Sequence, residues 1–186
     1  MRITKTPILG LEIIEPDIKL DPRGYFMECY HKKKIAQLGI HNQFVQENQS
    51  FSKKGTVRGL HYQLNPHAQA KLIRVIDGEI WDIAVDIRQG SPTFGQWEGV
   101  MLSAENNKQL LIPRGYAHGF AVTSQQATII YKCDNFYYPE AEAGIYWLDP
   151  QLAIDWKIDA SPLLSNRDQQ LPHLEKAIIN FEYKPL

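Results

Sequence analysis

The sequence predicts an all-β protein, built as a jelly-roll barrel with a few short helices. Short apolar runs alternate with clusters of Gly, Pro, Asn and Asp along the 186 residues, which is the spacing of a sandwich or barrel. Two histidine-bearing segments, 58–63 (RGLHYQ) and 113–120 (PRGYAHGF), have the character of neighbouring strands. Because no repeat or linker-like tract interrupts the pattern, one domain over residues 1–186 is expected.

The predicted strands are rich in β-branched and aromatic residues. They cover residues 71–76, 79–87, 97–102, 109–112, 118–122 and 128–133. In the 79–87 segment, alternation predicts one core face, which carries Trp81 and Ile83. The other face, which carries Asp82 and Asp86, is predicted to be partly polar.

Turns, helices and a tail complete the predicted architecture. The turn signals between strands are Asp77-Gly78 and Gln89-Gly90. The segment 31–39 (HKKKIAQLG) predicts a short helix that ends at Gly39, and a second helix is expected near 172–177. From residue 149 onward, the chain is expected to pack on the barrel as an ordered tail.

Composition excludes several classes of partner. With 20 basic and 21 acidic residues, the formal net charge of −1 does not attract nucleic acid or an anionic membrane by bulk electrostatics.

Cys29 and Cys133 lie in strand-like runs and are interpreted as buried free thiols. The N-terminal apolar run is short and broken by Gly and acids, so neither a signal peptide nor a membrane span is expected. Cytoplasmic localisation follows from these expectations.

The histidine pattern argues against a metal site. Metal-binding barrels of this kind supply an HxH pair, a glutamate and a later histidine. Here the first strand reads His61-Tyr62-Gln63, and no acid follows at the expected distance. His61 and His118 leave only two imidazoles where three or four ligands are needed. No metal is therefore expected.

Six sequence blocks carry a resemblance to a known family. They are RGYFMECY (23–30), QENQSFSKKGTVRGLHYQ (46–63), KLIRVIDGEIWDIAVDIRQGSPTFGQW (71–97), IPRGYAHGF (112–120), YKCDNFYYPEAEAGIYWLDP (131–150) and LSNRDQQLP (164–172). In this order, the blocks resemble the dTDP-4-dehydrorhamnose 3,5-epimerase family of the cupin superfamily. The resemblance implies a cupin-type fold, an isomerase without a cofactor, and a homodimer.

The resemblance also implies roles for individual residues. It implies that His61 is the base, that Asp168 orients it, and that Tyr131 is the general acid. Ten further positions are implied to bind the nucleotide sugar: Arg23, Glu28, Gln46, Asn48, Arg58, Lys71, His118, Tyr137, Glu142 and Arg167. Tyr137 is implied to stack on thymine. Arg167 stands where the family often carries lysine, which keeps the charge but changes the geometry.

Elementary chemistry supports these residue types. In a 4-keto sugar, the hydrogens on C3 and C5 flank the carbonyl, so their removal gives an enolate. A histidine such as His61 is a suitable base, and a carboxylate such as Asp168 fixes its tautomer. Lys71, with His118 nearby, can stabilise the enolate oxygen. Inversion requires a proton from the opposite face, and Tyr131 is the candidate donor.

The residue types at the implied binding positions suit a diphosphate and a nucleobase. Arg23 and Arg58 offer planar guanidinium groups that suit phosphate oxygens. The aromatic run that contains Tyr137 offers a stacking platform for a base. Specificity for the edge of the base is expected from Glu28 and Gln46.

Each candidate also has a purely structural interpretation. Without the resemblance, His61 is more often a hydrogen-bonded structural histidine, Tyr131 a barrel-lining residue, and Asp168 a solvated acid.

The favoured function is conversion of dTDP-4-dehydro-6-deoxy-D-glucose to dTDP-4-dehydro-L-rhamnose, on the route to dTDP-L-rhamnose. The alternatives are a mono-epimerase acting on a related 4-keto-6-deoxy sugar and a non-catalytic nucleotide-sugar-binding cupin.

Overall fold

The computed structural model of the chain describes residues 1–8, 10–159 and 161–185. Its elements are β1 (Arg2–Lys5), β2 (Glu12–Glu15), β3 (Ile18–Asp21), β4 (Gly24–Met27), α1 (Lys32–Gln37), β5 (Gln46–Lys53), β6 (Val57–Gln63), β7 (Lys71–Asp86), β8 (Trp97–Ser103), β9 (Gln109–Ile112), β10 (Tyr116–Cys133) and β11 (Glu142–Gly144). Three single-turn 3-10 helices lie at Pro139–Ala141, Asp168–Gln170 and Leu174–Lys176. The all-β prediction with few short helices is confirmed.

The main sheet is antiparallel and joins nine of the strands in the described residues. Its order is β1-β2-β9-β7-β10-β6-β11, while β5 pairs with β10 and β8 pairs with β7. The long strands β7 and β10 therefore form the central pair, and each contributes to two walls of the barrel. The hairpin β3–β4 forms a separate two-stranded sheet.

The predicted turn at Asp77-Gly78 is wrong, because β7 runs through both residues without reversing. Gly78 has φ +75°, and the pairing register between β7 and β10 shifts beside it. A Cβ at Gly78 would lie 1.9 Å from the carbonyl oxygen of Gln126. The glycine therefore permits a bulge that bends a continuous strand.

Both faces of the 79–87 segment are buried, and the face that was expected to be partly polar does carry Asp82 and Asp86, which are buried with it. On the inner face, Ile80 and Ala84 join the cluster that fills the barrel. On the outer face, Ile83 and Val85 join a second cluster, and the C-terminal tail covers them with Trp156. The prediction that the tail packs on the barrel is confirmed.

The helix α1 begins and ends close to the predicted positions. Gly39 has φ +94°, and the backbone N–H of Ile40 donates to the carbonyl of Ile35 at 3.1 Å, which closes the helix C-terminus. The second expected helix is only the 3-10 turn Leu174–Lys176. No helix of the described residues is long and apolar enough to cross a membrane.

The cysteines and the N-terminal segment complete the comparison. Cys133 is a buried free thiol as predicted, whereas Cys29 is free but only half-buried. The apolar N-terminal segment becomes a strand only from Glu12, where β2 pairs with β9 on one side and β1 on the other. Leu9, within this apolar N-terminal segment, lies outside the described residues.

Asp86 anchors the end of the barrel through a dense hydrogen-bond network. Its carboxylate accepts bonds from the Arg88 guanidinium (2.7 and 2.9 Å) and from the hydroxyls of Ser91 and Thr93 (2.6 Å each). Asp86 itself is fully buried. Burial alone would raise the pKa of Asp86, but the bonds from Arg88, Ser91 and Thr93 outweigh it and hold the pKa below its usual range.

We expect Asp86→Ala to lower the free energy of unfolding at pH 7 by ~3–5 kcal/mol, because the Arg88 guanidinium and the hydroxyls of Ser91 and Thr93 lose the buried carboxylate that accepts their hydrogen bonds. The depressed pKa means that this stabilisation is present above the unfolded pKa of about 3.9 and is lost as the pH falls through the folded value. Urea unfolding of both proteins at pH 7 and pH 3 measures the difference. A gap that widens on acidification would contradict the assignment.

Candidate active site

The candidate site lies in the barrel, where β6 and β10 run side by side. His61 of β6 is the register partner of His118 on β10 and of Gly144 on β11. Because side chains alternate along a strand, His61 and Gln63 project to the same face of β6. His61, the histidine of the RGLHYQ motif, therefore faces a cleft between the strands together with Gln63.

The cleft is open and contains about 450 Å³ of free space including its mouth. Seven residues singled out from the sequence line it: Gln46, Asn48, His61, Lys71, Tyr131, Tyr137 and Glu142. These seven residues are spread over β5, β6, β7, β10, β11 and the loop between β10 and β11. The fold therefore brings together residues that are as far apart in the chain as positions 46 and 142.

His61 and Asp168 form a dyad at the cleft wall. Nε2 of His61 lies 2.6 Å from Oδ1 of Asp168, whose side chain is 5% exposed. Burial alone would raise the pKa of Asp168, but hydrogen bonds from His61, Ser165 and the backbone of Gly59 outweigh it and lower the pKa. Asp168 thus stays ionised beside the imidazole, which leaves Nδ1 of His61 as the nitrogen that can take a proton.

Tyr131 lines the cleft from β10, between Asn48 of β5 and Ile73 of β7 in the register. Burial raises the pKa of its phenol, and the hydrogen bond with Asn48 only partly offsets this effect. The hydroxyl is therefore protonated at neutral pH and is able to donate a proton.

Two cationic or potentially cationic groups lie deeper in the barrel. Burial lowers the pKa of Lys71, while Cys133 and Asp82 act in the opposite direction. The carboxylates of Asp82 and Glu142 act on Lys71 through their charge, but they pair with His118 and Arg167 respectively. Nε2 of His118 lies 3.1 Å from both carboxylate oxygens of Asp82, and burial lowers the pKa of His118 despite that partner. Lys71 is thus placed to attract a developing negative charge.

Tyr137, Glu142 and Arg167 form a connected group at the cleft mouth. The hydroxyl of Tyr137 donates to Oε2 of Glu142 at 2.5 Å, and Arg167 pairs with the same oxygen at 2.5 Å. Burial raises the pKa of Glu142, but these two partners outweigh it and lower the pKa. The Tyr137 ring is half exposed, so one side of it is accessible to a ligand.

Five of the ten predicted binding residues do not line the cleft: His118 pairs with Asp82 deeper in the barrel, Arg167 pairs with Glu142 at the mouth, and Arg23, Glu28 and Arg58 have other partners. Arg23 is exposed in the β3–β4 turn and pairs with Asp21, and Glu28 pairs with Lys34 at 2.8 Å. Arg58 lies near the cleft, because its charge acts on Tyr131, but its Nε donates to the Ser52 hydroxyl at 3.0 Å.

Sequence reasoning missed three cleft residues, Tyr62, Gln63 and Gln69. The signal for Gln63 was available, because it lies two residues after His61 on the same strand face. Gln69 precedes β7 in a loop, and no periodicity points to it. In the part of the chain that the structure describes, no group of three His, Cys, Asp or Glu side chains is arranged to hold a metal ion.

The chain is similar to known proteins in both sequence and structure. A family model described as dTDP-4-dehydrorhamnose 3,5-epimerase matches residues 5–176. The dTDP-4-dehydrorhamnose 3,5-epimerase of Shigella flexneri is 51% identical over 169 residues, which are 90% of this chain and 93% of that protein. The dTDP-4-dehydrorhamnose 3-epimerase of Streptomyces niveus is 40% identical over 178 residues, 95% of this chain and 86% of that protein.

A solved structure shows the same fold over nearly the whole length. The dTDP-6-deoxy-D-glucose-3,5-epimerase of Legionella pneumophila Philadelphia 1, in complex with dTDP-4-keto-L-rhamnose, superposes with a TM-score of 0.94. The two proteins are 49% identical, and the match covers 99% of each chain. The chain therefore belongs to the dTDP-4-dehydrorhamnose 3,5-epimerase family of isomerases.

Proposed function

We propose that this protein converts dTDP-4-dehydro-6-deoxy-D-glucose to dTDP-4-dehydro-L-rhamnose by inverting C3 and C5. The observation that carries the proposal is the dyad of His61 and Asp168, which shares a cleft with a protonated phenol, Tyr131. Inversion of a carbon requires a base that removes a proton from one face and an acid that delivers a proton to the opposite face. His61 on β6 and Tyr131 on β10 supply these two groups from separate strands.

The chemical step moves one proton off the sugar and another onto it. Nδ1 of His61 takes the proton from C5 or C3, and the bonding pair shifts toward the C4 carbonyl to give an enolate. Asp168 stabilises the imidazolium, and the Lys71 ammonium group stabilises the enolate oxygen. Tyr131 then protonates the carbon from the other face, and exchange with solvent restores both groups.

Substrate binding is assigned to the polar cleft residues and the aromatic segment. Gln46, Asn48, His118 and Glu142 would contact the nucleotide sugar, and Tyr137 would stack on thymine. Base stacking on such a ring contributes ~1–3 kcal/mol. Arg58 and Arg167 supply positive charge for the diphosphate.

Two alternatives give different products. The Streptomyces niveus relative is named a 3-epimerase, so the same framework is compatible with inversion of one carbon. A binding protein without catalysis would leave the substrate unchanged. Incubation with dTDP-4-dehydro-6-deoxy-D-glucose, followed by proton NMR of the ring couplings, distinguishes these products. Inversion at both C3 and C5 supports the proposal, whereas inversion at one carbon or at neither contradicts it.

We also infer a homodimer, because Arg23 and Glu28 stand apart from the cleft of their own chain. Arg23 lies in the turn of the β3–β4 hairpin and Glu28 directly follows β4, and the large apolar side chains of this hairpin are exposed. These side chains are Ile18 (41%), Leu20 (81%), Tyr25 (58%) and Phe26 (68%). A second copy that covers this hairpin would bury the apolar surface. The cleft of the second copy would then hold its diphosphate close to Arg23 of the first.

We expect light scattering to give twice the chain mass of 21.4 kDa. We also expect Leu20→Glu to shift the mass toward the monomer, because it would bury a charge in the interface. Glu175→Lys, an exposed change outside the hairpin, is the control. A monomeric wild type would contradict the dimer without affecting the assignment of the cleft.

The remaining proposals concern context. We propose that residues 1–186 act as one catalytic domain in the cytoplasm, on the route to dTDP-L-rhamnose and rhamnose-containing polysaccharide. The buried free thiol of Cys133 is compatible with a reducing compartment.

A further inference from the structure

Gln63 uses its side chain entirely within the protein, although it lines the cleft. Its Nε2 donates to the carbonyl of His67 at 2.7 Å and to the carbonyl of Phe136 at 3.2 Å. Its Oε1 accepts from the backbone N–H of Tyr138 at 2.6 Å. With 5% exposure, the residue is buried, so its carboxamide has no need of a ligand to satisfy its two donors.

These bonds converge on the aromatic segment 136–138, which follows β10 and joins no strand of the sheet. Gln63 holds the backbone on both sides of Tyr137, through Phe136 and Tyr138. The backbone N–H of Tyr137 itself donates to Oε1 of Gln46 at 2.9 Å. Side-chain amides therefore do for this segment what ladder hydrogen bonds do inside a sheet.

The same carboxamide fixes a second layer behind the segment. The ring of His67, whose carbonyl accepts from Gln63, stacks on the ring of Tyr138 with centroids 3.9 Å apart and planes 7° apart. Gln63 thus connects β6, the loop that contains His67 and the aromatic segment. Its position two residues after His61 places this connection on the strand that carries the base.

We propose that Gln63 is a positioning residue that holds the Tyr137 ring ready to stack on the nucleobase, and so sets affinity for the nucleotide without taking part in proton transfer. This inference rests on the proposed function, since it assumes that Tyr137 stacks on thymine. Only a carboxamide fits the bonding pattern, because a carboxylate has no N–H to donate and a neutral imidazole has one.

The test is Gln63→Met, which removes all three hydrogen bonds at similar volume and adds no charge beside His61. We expect the Kd for dTDP and the KM for the sugar nucleotide to rise on the order of tenfold, as when about 1.4 kcal/mol of stacking is lost. The kcat and the inhibition constant for inorganic pyrophosphate should stay near the wild-type values, because pyrophosphate has no base to stack.

Gln109→Met is the matched control. Gln109 is 2% exposed and donates Nε2 to the carbonyl of Cys29 at 2.8 Å, outside the cleft. It should cost folding stability without changing the Kd for dTDP. If Gln63→Met fails to fold, Gln63→Asn serves instead, because it keeps a neutral carboxamide but is one methylene shorter and cannot hold all three backbone partners.

A double-mutant cycle with Tyr137→Ala separates positioning from general structure. If Gln63 acts through Tyr137, the tenfold effect of Gln63→Met should largely disappear when the ring is already absent. An unchanged Kd for dTDP in Gln63→Met, an equal weakening of pyrophosphate binding, or full additivity with Tyr137→Ala would overturn the proposal.

Wild-type measurements keep this failure distinct from failure of the proposed function. A wild type that neither binds dTDP nor epimerises the sugar nucleotide would refute the function, and the role of Gln63 in nucleotide binding with it. A wild type that does both, beside a Gln63→Met variant with unchanged affinity, would refute the positioning role alone.

Discussion

Replacing His61 by asparagine is expected to lower kcat by about 10²–10⁴-fold, the range that a positioned general base contributes. Asparagine keeps a polar side chain beside Asp168 but cannot accept the sugar proton at neutral pH. Binding of dTDP should be retained, because the diphosphate and base are assigned to other residues. Calorimetry with dTDP and a turnover assay on the same preparation measure the two quantities separately.

His173→Asn is the matched control for this variant. Nδ1 of His173 lies 3.2 Å from Oδ2 of Asp149, so it is also an imidazole beside a carboxylate, but it lies away from the cleft. We expect it to keep full turnover. Full turnover in His61→Asn would contradict the assignment of the base, and loss of dTDP binding would show that the substitution damages the site as a whole.

Tyr131→Phe is expected to abolish inversion while leaving part of the first proton transfer intact. His61 can still remove the proton and return one from solvent to the same face, so deuterium should enter the sugar without a change of configuration. The rate of product formation should fall by roughly 10²–10⁴-fold. Because burial raises the pKa of Tyr131 above 10.0, wild-type turnover should not decline between pH 7 and pH 9 through loss of this proton.

Tyr62→Phe gives a comparison of the same chemical size. The Tyr62 hydroxyl donates to the carbonyl of Ile178 at 2.8 Å, and burial raises the pKa of that phenol to about 12. Its loss should cost about 1 kcal/mol of stability and leave the proton transfers unchanged. If Tyr131→Phe epimerises at the wild-type rate, the acid must be another group.

The segments that form the central strands β7 and β10 could be predicted from the sequence, because apolar side chains recur regularly along them. Strand β5 was not predicted, and the reason is functional. Its inward positions include Gln46 and Asn48, which line the cleft, so its pattern lacks an apolar face. Polar residues at a binding site hide the very periodicity that reveals a strand.

The site residues also include some that could be predicted from the sequence and some that could not. The resemblance named His61, Asp168 and Tyr131, and the fold brings the first two to 2.6 Å across 107 positions of sequence. It could not indicate that Arg23 would lie outside the cleft of its own chain, because only the folded chain shows where the β3–β4 turn lies relative to the cleft. The role of Gln63 was equally hidden, because its three partners are backbone groups that only the folded chain brings together.

The most direct test of the account is solvent deuterium uptake by dTDP-4-dehydro-6-deoxy-D-glucose in deuterated water, followed by NMR with wild-type protein and with His61→Asn. We predict uptake at both C3 and C5 with the wild type and at neither carbon with His61→Asn. Uptake at a single carbon would make the protein a mono-epimerase. Uptake at both carbons with His61→Asn would contradict the claim that one histidine, held by Asp168, removes both protons.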